Sequence, residues 1–473
     1  MAGRAGGRPA APAAEEVAMT AAPLRALIVS YPWPPTGGAG VQRAVKLAKY
    51  LPEFGVQPAA LTVANPSVPV RDESLSRDLP PGMTVVRART LEPGYGVKRA
   101  AWRTTAAAQP SPAVRVRRFA TALARSALFP DPQILWQPAA QAALARRLWG
   151  SARDDVVFVT APPFSQFFAA PLARLRRGTA VVLDYRDEWS TLRASYEMLS
   201  RVGVVIGDPL EAALLRTAHA VTTATEEFRA NLLSRFPFLD PDRVVAIPNG
   251  YDPDDVPADL PEPPRDRFVV TYAGTVFKLT SPRGLLGAIR RLHRDSPDLA
   301  RLLRVRFVGR IVDTEQPLFD GADALGVERV GYVPQQQVAS ELAASHLVLC
   351  LLDDVPGTDR IYPAKIFELM YLRRPCLTLA PPGALARLVD RHRVGAVLPP
   401  RDEAAIARYL ADALRRFAAG DYPLRSAPVD IDRYSRRAIA GAFADVFRAA
   451  VARARGGAAA RSAHSTPTAP PGA

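Results

Sequence analysis

Residues 24–51 read LRALIVSYPWPPTGGAGVQRAVKLAKYL. The apolar run from Leu24 to Ser30 has the length and composition of a buried strand. A proline-rich loop follows, then Gly37, Gly38 and Gly40. Beyond them Val41, Ala44, Val45, Ala48 and Leu51 recur at helical spacing and mark one buried face. A strand that feeds a glycine loop into a helix N-terminus suits an anion. Glycine lets backbone N–H groups approach closely, and the helix dipole favours negative charge. A dinucleotide fingerprint is not met, because Arg43 stands where its third glycine belongs and no acidic residue lies about 20 residues on. The plainer alternative is a tight turn that needs positive φ.

Outward from this unit, short apolar runs alternate with helical patterns. They predict strands near 26–30, 59–63, 84–87, 156–160, 180–184, 220–223 and 244–247. After the turn cluster Pro248-Asn249-Gly250-Tyr251-Asp252 and a Pro/Asp/Glu stretch to Arg267, the pattern restarts at 268–273. Further strands are expected near 305–308, 327–333, 347–352, 376–380 and 396–398, with helices between them. Alternation of this kind argues for an α/β protein with two parallel-sheet, Rossmann-like domains. Their strand C-terminal ends would line a shared cleft. The expected boundaries are a disordered segment 1–22, a first domain 23–258, a second domain 265–432, a closing helix 433–455 and a disordered tail 456–473.

The chain has 473 residues, 48% hydrophobic and 23% charged, which fits a globular protein of more than one domain. Cys350 and Cys376, its two cysteines, lie in apolar runs and fit buried thiols in a reducing compartment. No apolar run reaches membrane-spanning length and no signal-peptide core is legible, so a cytoplasmic location is expected. The net charge of +15 is uneven, with seven basic and no acidic residues between Lys98 and Pro130. Interleaved apolar residues there suit an anionic membrane face at the periphery, or simply a solvated helix face. No nucleic-acid motif accompanies the charge.

A second stretch carries chemistry: Tyr362-Pro363-Ala364-Lys365-Ile366-Phe367-Glu368-Leu369-Met370. Pro363 suits a first helical turn. Lys365 and Glu368, three apart, share a face. In a cleft they would reach a phosphate and a ribose hydroxyl pair; on a surface they would be an ordinary ion pair. Together, the PP-x-GGAGVQR opening and this P-A-K-I-F-E stretch resemble family 4 glycosyltransferases, which are retaining, nucleotide-sugar-dependent enzymes of the GT-B fold. The resemblance spans roughly residues 24–450. It implies a glycine loop over the donor diphosphate, a donor helix at Pro363–Met370, and a closing helix returning to the first domain. It also implies neither metal nor cofactor. Glu368 falls on the second, ribose-binding glutamate of the family's E-x7-E pattern. The first falls on Arg360, and Arg373 replaces the glycine usual before Pro375. Where relatives carry cations after Gly274, this chain has Thr275 and Thr280, so Lys278 is the substitute, with Arg283 behind it.

On this reading Lys278, Lys365 and Asp187 are the catalytic candidates. Gly37, Gly38, Gly274, Arg283, Ile366, Glu368 and Tyr332 complete the donor side. Phe164, Arg186 and Gly40 form the acceptor side. Arg186 and Asp187, in the D-x-R-D-x-W-like stretch 184–189, are expected to fix each other. Pro130-Asp131-Pro132 with Trp136 is expected to line the cleft or the acceptor side, and Asn249-Gly250 to be the hinge or an ordinary turn. The expected partners are a nucleotide-sugar donor and a glycan, lipid-linked or small-molecule acceptor. The rivals are a nucleotide-sugar epimerase, which needs acid–base groups including a histidine at the sugar, and a non-catalytic subunit of similar fold.

Overall fold

The computed structural model describes residues 22–68, 71–96, 128–189 and 201–463. Seven strands form the first sheet: β1 (Leu24–Val29), β2 (Val56–Val63), β3 (Val85–Ala88), β4 (Val156–Ala161), β5 (Ala180–Tyr185), β6 (Ala220–Thr223) and β7 (Val244–Ala246). Six form the second: β8 (Phe268–Ala273), β9 (Leu303–Val308), β10 (Val327–Gly331), β11 (Leu347–Leu351), β12 (Cys376–Leu379) and β13 (Gly395–Leu398). Their orders are β3-β2-β1-β4-β5-β6-β7 and β10-β9-β8-β11-β12-β13, and every pair is parallel. Each sheet is covered on both faces, which is why β1, β4, β5, β8 and β11 read as continuous apolar runs. In each sheet the order reverses beside its first strand, between β1 and β4 and between β8 and β11. Open sheets of this kind bind ligands at that crevice.

One face of the first sheet buries Trp136, Leu144, Phe167 and Trp189. The other is covered by the helix Ala39–Tyr50 and by the closing helix Arg436–Ala463. Phe443 and Phe447 of the closing helix pack on Phe158 of β4, with ring centroids 5.3 and 5.4 Å apart. The closing helix therefore belongs to the core of the first domain. The two chain crossings between the domains run side by side. Tyr251 N–H donates to Tyr434 O (3.0 Å) and Arg436 N–H to Tyr251 O (2.8 Å). A Cβ at Gly250 would lie 2.0 Å from Tyr434 O, so only glycine permits this crossing.

One boundary is corrected. The closing helix runs to Ala463 rather than stopping at 455. Ala458, Ala459 and Ala460 are strong helix formers and carry it past Gly456-Gly457. Segment 1–21, most of the basic stretch (97–127) and the tail from 464 lie outside the described residues.

Candidate functional site

A cavity of about 320 Å³ lies between the two sheets. Its floor is Ala273-Gly274 at the end of β8, Val308-Gly309 at the end of β9 and Cys350-Leu351 of β11, beside the reversal point of the second sheet. The backbones meet closely there: a Cβ at Gly309 would lie 2.2 Å from Gly274 O. The helix Lys365–Leu372 presents Lys365 and Glu368 from one side. The first domain contributes Gly38, Gln42 and Asp72, and the closing helix contributes Arg436.

Gly38 caps the helix Ala39–Tyr50 with φ 98°, a conformation that disfavours any side chain. The first turn of that helix holds no acidic residue and no side-chain cap, and Gly38 and Gln42 bring its partially positive N-terminal end to the cavity. Lys365 makes no hydrogen bond or ion pair among the described residues, and neither does the Arg310 side chain. Glu368 accepts a long bond from Gln335 Nε2 (3.5 Å). At the rim the domains clasp, since Tyr332 Oη donates to Asp72 Oδ2 (2.9 Å) and the Gln335 N–H to the same oxygen (3.2 Å). Burial works to raise the Asp72 carboxyl, but its bonds from Ser74, Gln335 and Tyr332 outweigh that and hold it below the ordinary value. Burial, then the Asp72 carboxylate, pushes the Tyr332 phenol up.

Of the residues expected in the site, Gly38, Gly274, Tyr332, Lys365 and Glu368 line this cavity. Gly37 adjoins the loop without lining it. Lys278 begins a short turn, points to solvent and does not line the cavity; Arg283 is likewise exposed at the start of the next helix. Thr275 and Thr280 do line it, with Thr280 Oγ1 bonded to Thr275 O (2.7 Å). Ile366 turns its side chain into the core, and its N–H is taken by Pro363 O (3.0 Å).

The acceptor-side residues serve the architecture. Phe164 stacks on Trp189 at 4.8 Å inside the first core. Arg186 and Asp187 do not pair: the Arg186 guanidinium donates to the carbonyls of Gly40, Pro162 and Ala161, tying the glycine loop to the Pro162-Pro163 loop. Burial raises the half-buried Asp187 carboxyl. Asp131 is buried and accepts the Ser165 N–H (2.9 Å), while Trp136 Nε1 donates to Ala88 O (3.1 Å). Arg43, the residue that broke the fingerprint, is 2% exposed. It binds both oxygens of Asp184 (2.8 and 3.0 Å), Ile247 O and Pro248 O. Thr160 and Thr222 donate to the same carboxylate, each at 2.7 Å.

Arg360 faces away from the cavity. It reaches into the first domain, where Glu188 accepts from it at 2.8–3.1 Å. Its carbonyl accepts from Thr225 Oγ1 (2.9 Å). The acidic cluster with metal-like spacing, Asp78, Asp252 and Asp255, is centred on the Lys46 ammonium, 2.6–2.7 Å from each. Burial works against the Asp252 charge, yet Lys46, Tyr50 and Lys49 hold its carboxyl down at about 2. Among the described residues no histidine lines the cavity. Sequence reasoning missed Arg310, Gln42, Asp72 and Arg436. Only Arg310, directly after Val308-Gly309 at a strand end, carried a usable signal.

Residues 37–250 match the model of the glycosyl transferase 4-like domain. A curated relative, D-inositol 3-phosphate glycosyltransferase of Stackebrandtia nassauensis, is 28% identical over 236 residues, 46% of this chain and 51% of the relative. The alignment thus spans about half of that relative's length. Among solved structures, sucrose-phosphate synthase of Thermosynechococcus elongatus aligns with TM-score 0.54 at 15% identity, over 93% of this chain and 99% of that one. Anabaena HepE in complex with UDP and glucose aligns with TM-score 0.51 at 14% identity, over 93% and 100%. Both structures align over most of this chain and share its GT-B arrangement of two parallel-sheet domains, and within that fold residues 37–250 are similar to the glycosyl transferase 4-like domain.

Proposed function

We propose that this protein transfers a sugar from a nucleoside diphosphate donor to an acceptor hydroxyl, with retention at the anomeric carbon. The observation that carries the reading is the cavity itself: Lys365, Arg310 and Arg436 converge on it, while only Glu368 and the already bonded Asp72 bring negative charge. Such an imbalance suits a leaving diphosphate. The anomeric C–O bond to the diphosphate breaks and a C–O bond to the acceptor forms on the same face. The acceptor proton passes to the departing phosphate oxygen. Lys365, with Arg310, offsets the charge that develops, and fixed cations in a water-poor cleft act most strongly at that moment. Glu368 accepts from the ribose hydroxyls, and the helix N-terminus after Gly38 faces the phosphates.

The HepE structure holds UDP and glucose, which makes UDP-sugars the first donors to try. The acceptor class is a glycan, a lipid-linked saccharide or a polar small molecule. We expect action in the cytoplasm, with peripheral attachment to an anionic membrane through residues 98–130. One observation favours a second reading, a nucleotide-binding subunit without turnover: Arg360, which stands at the first glutamate of the E-x7-E pattern, is engaged by Glu188 instead of facing the cavity.

A thermal-shift screen over nucleoside diphosphate sugars tests the binding, because a ligand held by the folded state alone stabilises it. Sugar release with NMR assignment of the product anomer tests the chemistry. Stabilisation with release of a retained anomer is expected. Stabilisation without release would select the second reading, and an inverted product would overturn retention.

A further inference from the structure

Arg436 begins the closing helix and is 5% exposed. A buried guanidinium is costly unless hydrogen bonds compensate it. Among the described residues its side chain makes no hydrogen bond or ion pair, and Nη1 is buried without any partner. The surrounding carboxylates are already engaged. Asp252 and Asp255 bond Lys46, and Glu368 meets Gln335. Arg43 adds a repelling charge. Burial, then that repulsion, pushes the guanidinium down to about 10 despite the attraction of Glu368, Asp255 and Asp252, so it is still charged at neutral pH. Arg436 lines the cavity, and the cavity is where a partner can come from.

Resting on the function proposed above, we propose that Arg436 is a phosphate anchor, donating Nη1 to a phosphate oxygen of the ligand that fills the cavity between Gly38 and Lys365. Phosphate fits better than a carboxylate because Lys365 and Arg310 share the cavity, and three cations match a multiply charged group. The residue's place in the fold gives the contact a second consequence. Arg436 sits where the returning chain pairs with Tyr251, at the crossing between the domains. A phosphate held there meets the glycine loop of the first domain and the donor helix of the second together, so the contact couples the two domains. The phosphate belongs either to the donor diphosphate or to a phosphorylated acceptor.

The full-length protein, Arg436→Met and Arg436→Lys are titrated calorimetrically with inorganic pyrophosphate, UDP and uridine. Inorganic phosphate is then titrated into UDP-saturated protein. Arg436→Met should lose pyrophosphate and UDP affinity by about 10–100-fold, as for a buried charge-assisted bond, while uridine binding stays unchanged. Arg436→Lys keeps the charge and should lose less. This result assigns the contact to the donor diphosphate. Unaltered UDP binding with loss of inorganic phosphate from the UDP-filled protein assigns it to an acceptor phosphate. The anchor is overturned if neither anion weakens in either variant, if uridine weakens as much as UDP, or if the wild type binds no pyrophosphate. Should Arg436→Met not fold, the Arg436→Lys ratio of UDP to uridine decides alone. Wild-type pyrophosphate binding that depends on Arg436, without transfer from any nucleotide sugar, leaves the anchor standing and removes the glycosyl-transfer reading.

Discussion

The two domains are built alike and use their charges differently. In each, a histidine precedes a strand and donates its N–H to a neighbouring strand carbonyl, while its Nδ1 accepts that residue's N–H. His219 does so with Val181 (2.8 and 2.9 Å), and His346 with Val269 (2.9 and 3.1 Å). Beyond that shared frame they diverge. The first domain pairs its motif cations internally: Arg43 with Asp184, Lys46 with three carboxylates, Arg186 with three backbone carbonyls. The second leaves Lys365 and Arg310 unpaired at the cavity. A buried, saturated cation holds a fold, whereas an unsaturated one at a strand end waits for a ligand. Both kinds occur here within stretches that look equally motif-like in sequence.

The sharpest way to break this contrast is Arg43→Met. It strands the buried Asp184 carboxylate, and removing one partner of such a pair costs about 3–5 kcal/mol. Chemical denaturation should show that loss; unchanged stability with lost nucleotide affinity would make Arg43 a ligand residue and erase the distinction. Lys365→Ala is the converse case. We expect kcat to fall about 10²-fold, equivalent to about 2.7 kcal/mol of barrier, with an unaltered melting curve. A variant that keeps wild-type kcat would reduce Lys365 to a surface lysine. Glu368→Ala should raise the donor Kd by about one to two decades, the size of a hydrogen bond to a charged acceptor. Titration calorimetry reads this directly, and equal affinity would remove the ribose contact.

Smaller effects refine the comparison within the first domain. Gly38 and Gly55 both hold positive φ (98° and 68°), and neither would place a Cβ within 4 Å of a neighbour. Valine at either should therefore cost a similar strain, about 1–2 kcal/mol, but only at Gly38 should donor binding also fail. Equal donor affinity in the two variants would show the opening loop to be a turn and nothing more. The smallest expected change concerns the paired histidines. Burial holds both at about 4 in the folded chain, below the ordinary 6.5. The unfolded chain therefore takes up protons first, and the stability present above pH 6.5 declines as pH falls toward 4. Melting temperature against pH should flatten by a similar few degrees in His219→Gln and His346→Gln. A flattening confined to one of them would show that the frames are not equivalent.

Much of this molecule was legible locally. Apolar run, glycine loop and helical face at 24–51 announce a β–loop–α unit, because strand period, positive φ and helix period are all short-range properties. Lys365 and Glu368 could be placed on one face for the same reason, and Pro363 marked where their helix begins. The closing helix was expected, and it differs from that expectation in running to Ala463 rather than 455.

Long-range pairing was not legible. Arg43 finds Asp184 across 141 positions of sequence, and Arg360 finds Glu188 across 172. Lys278 and Lys365 are both lysines at the start of a helical turn in the second domain, yet one faces solvent and the other the cavity. Arg436 looked like one more arginine at the start of a basic helix. The sequence by itself determined which segments are strands and helices, where the glycines must be, and that two sheets would meet at a cleft. Tertiary structure alone decided which charges are neutralised and which are left open. That outcome depends on where distant carboxylates and carbonyls end up, and residue type and spacing carry no record of those distances.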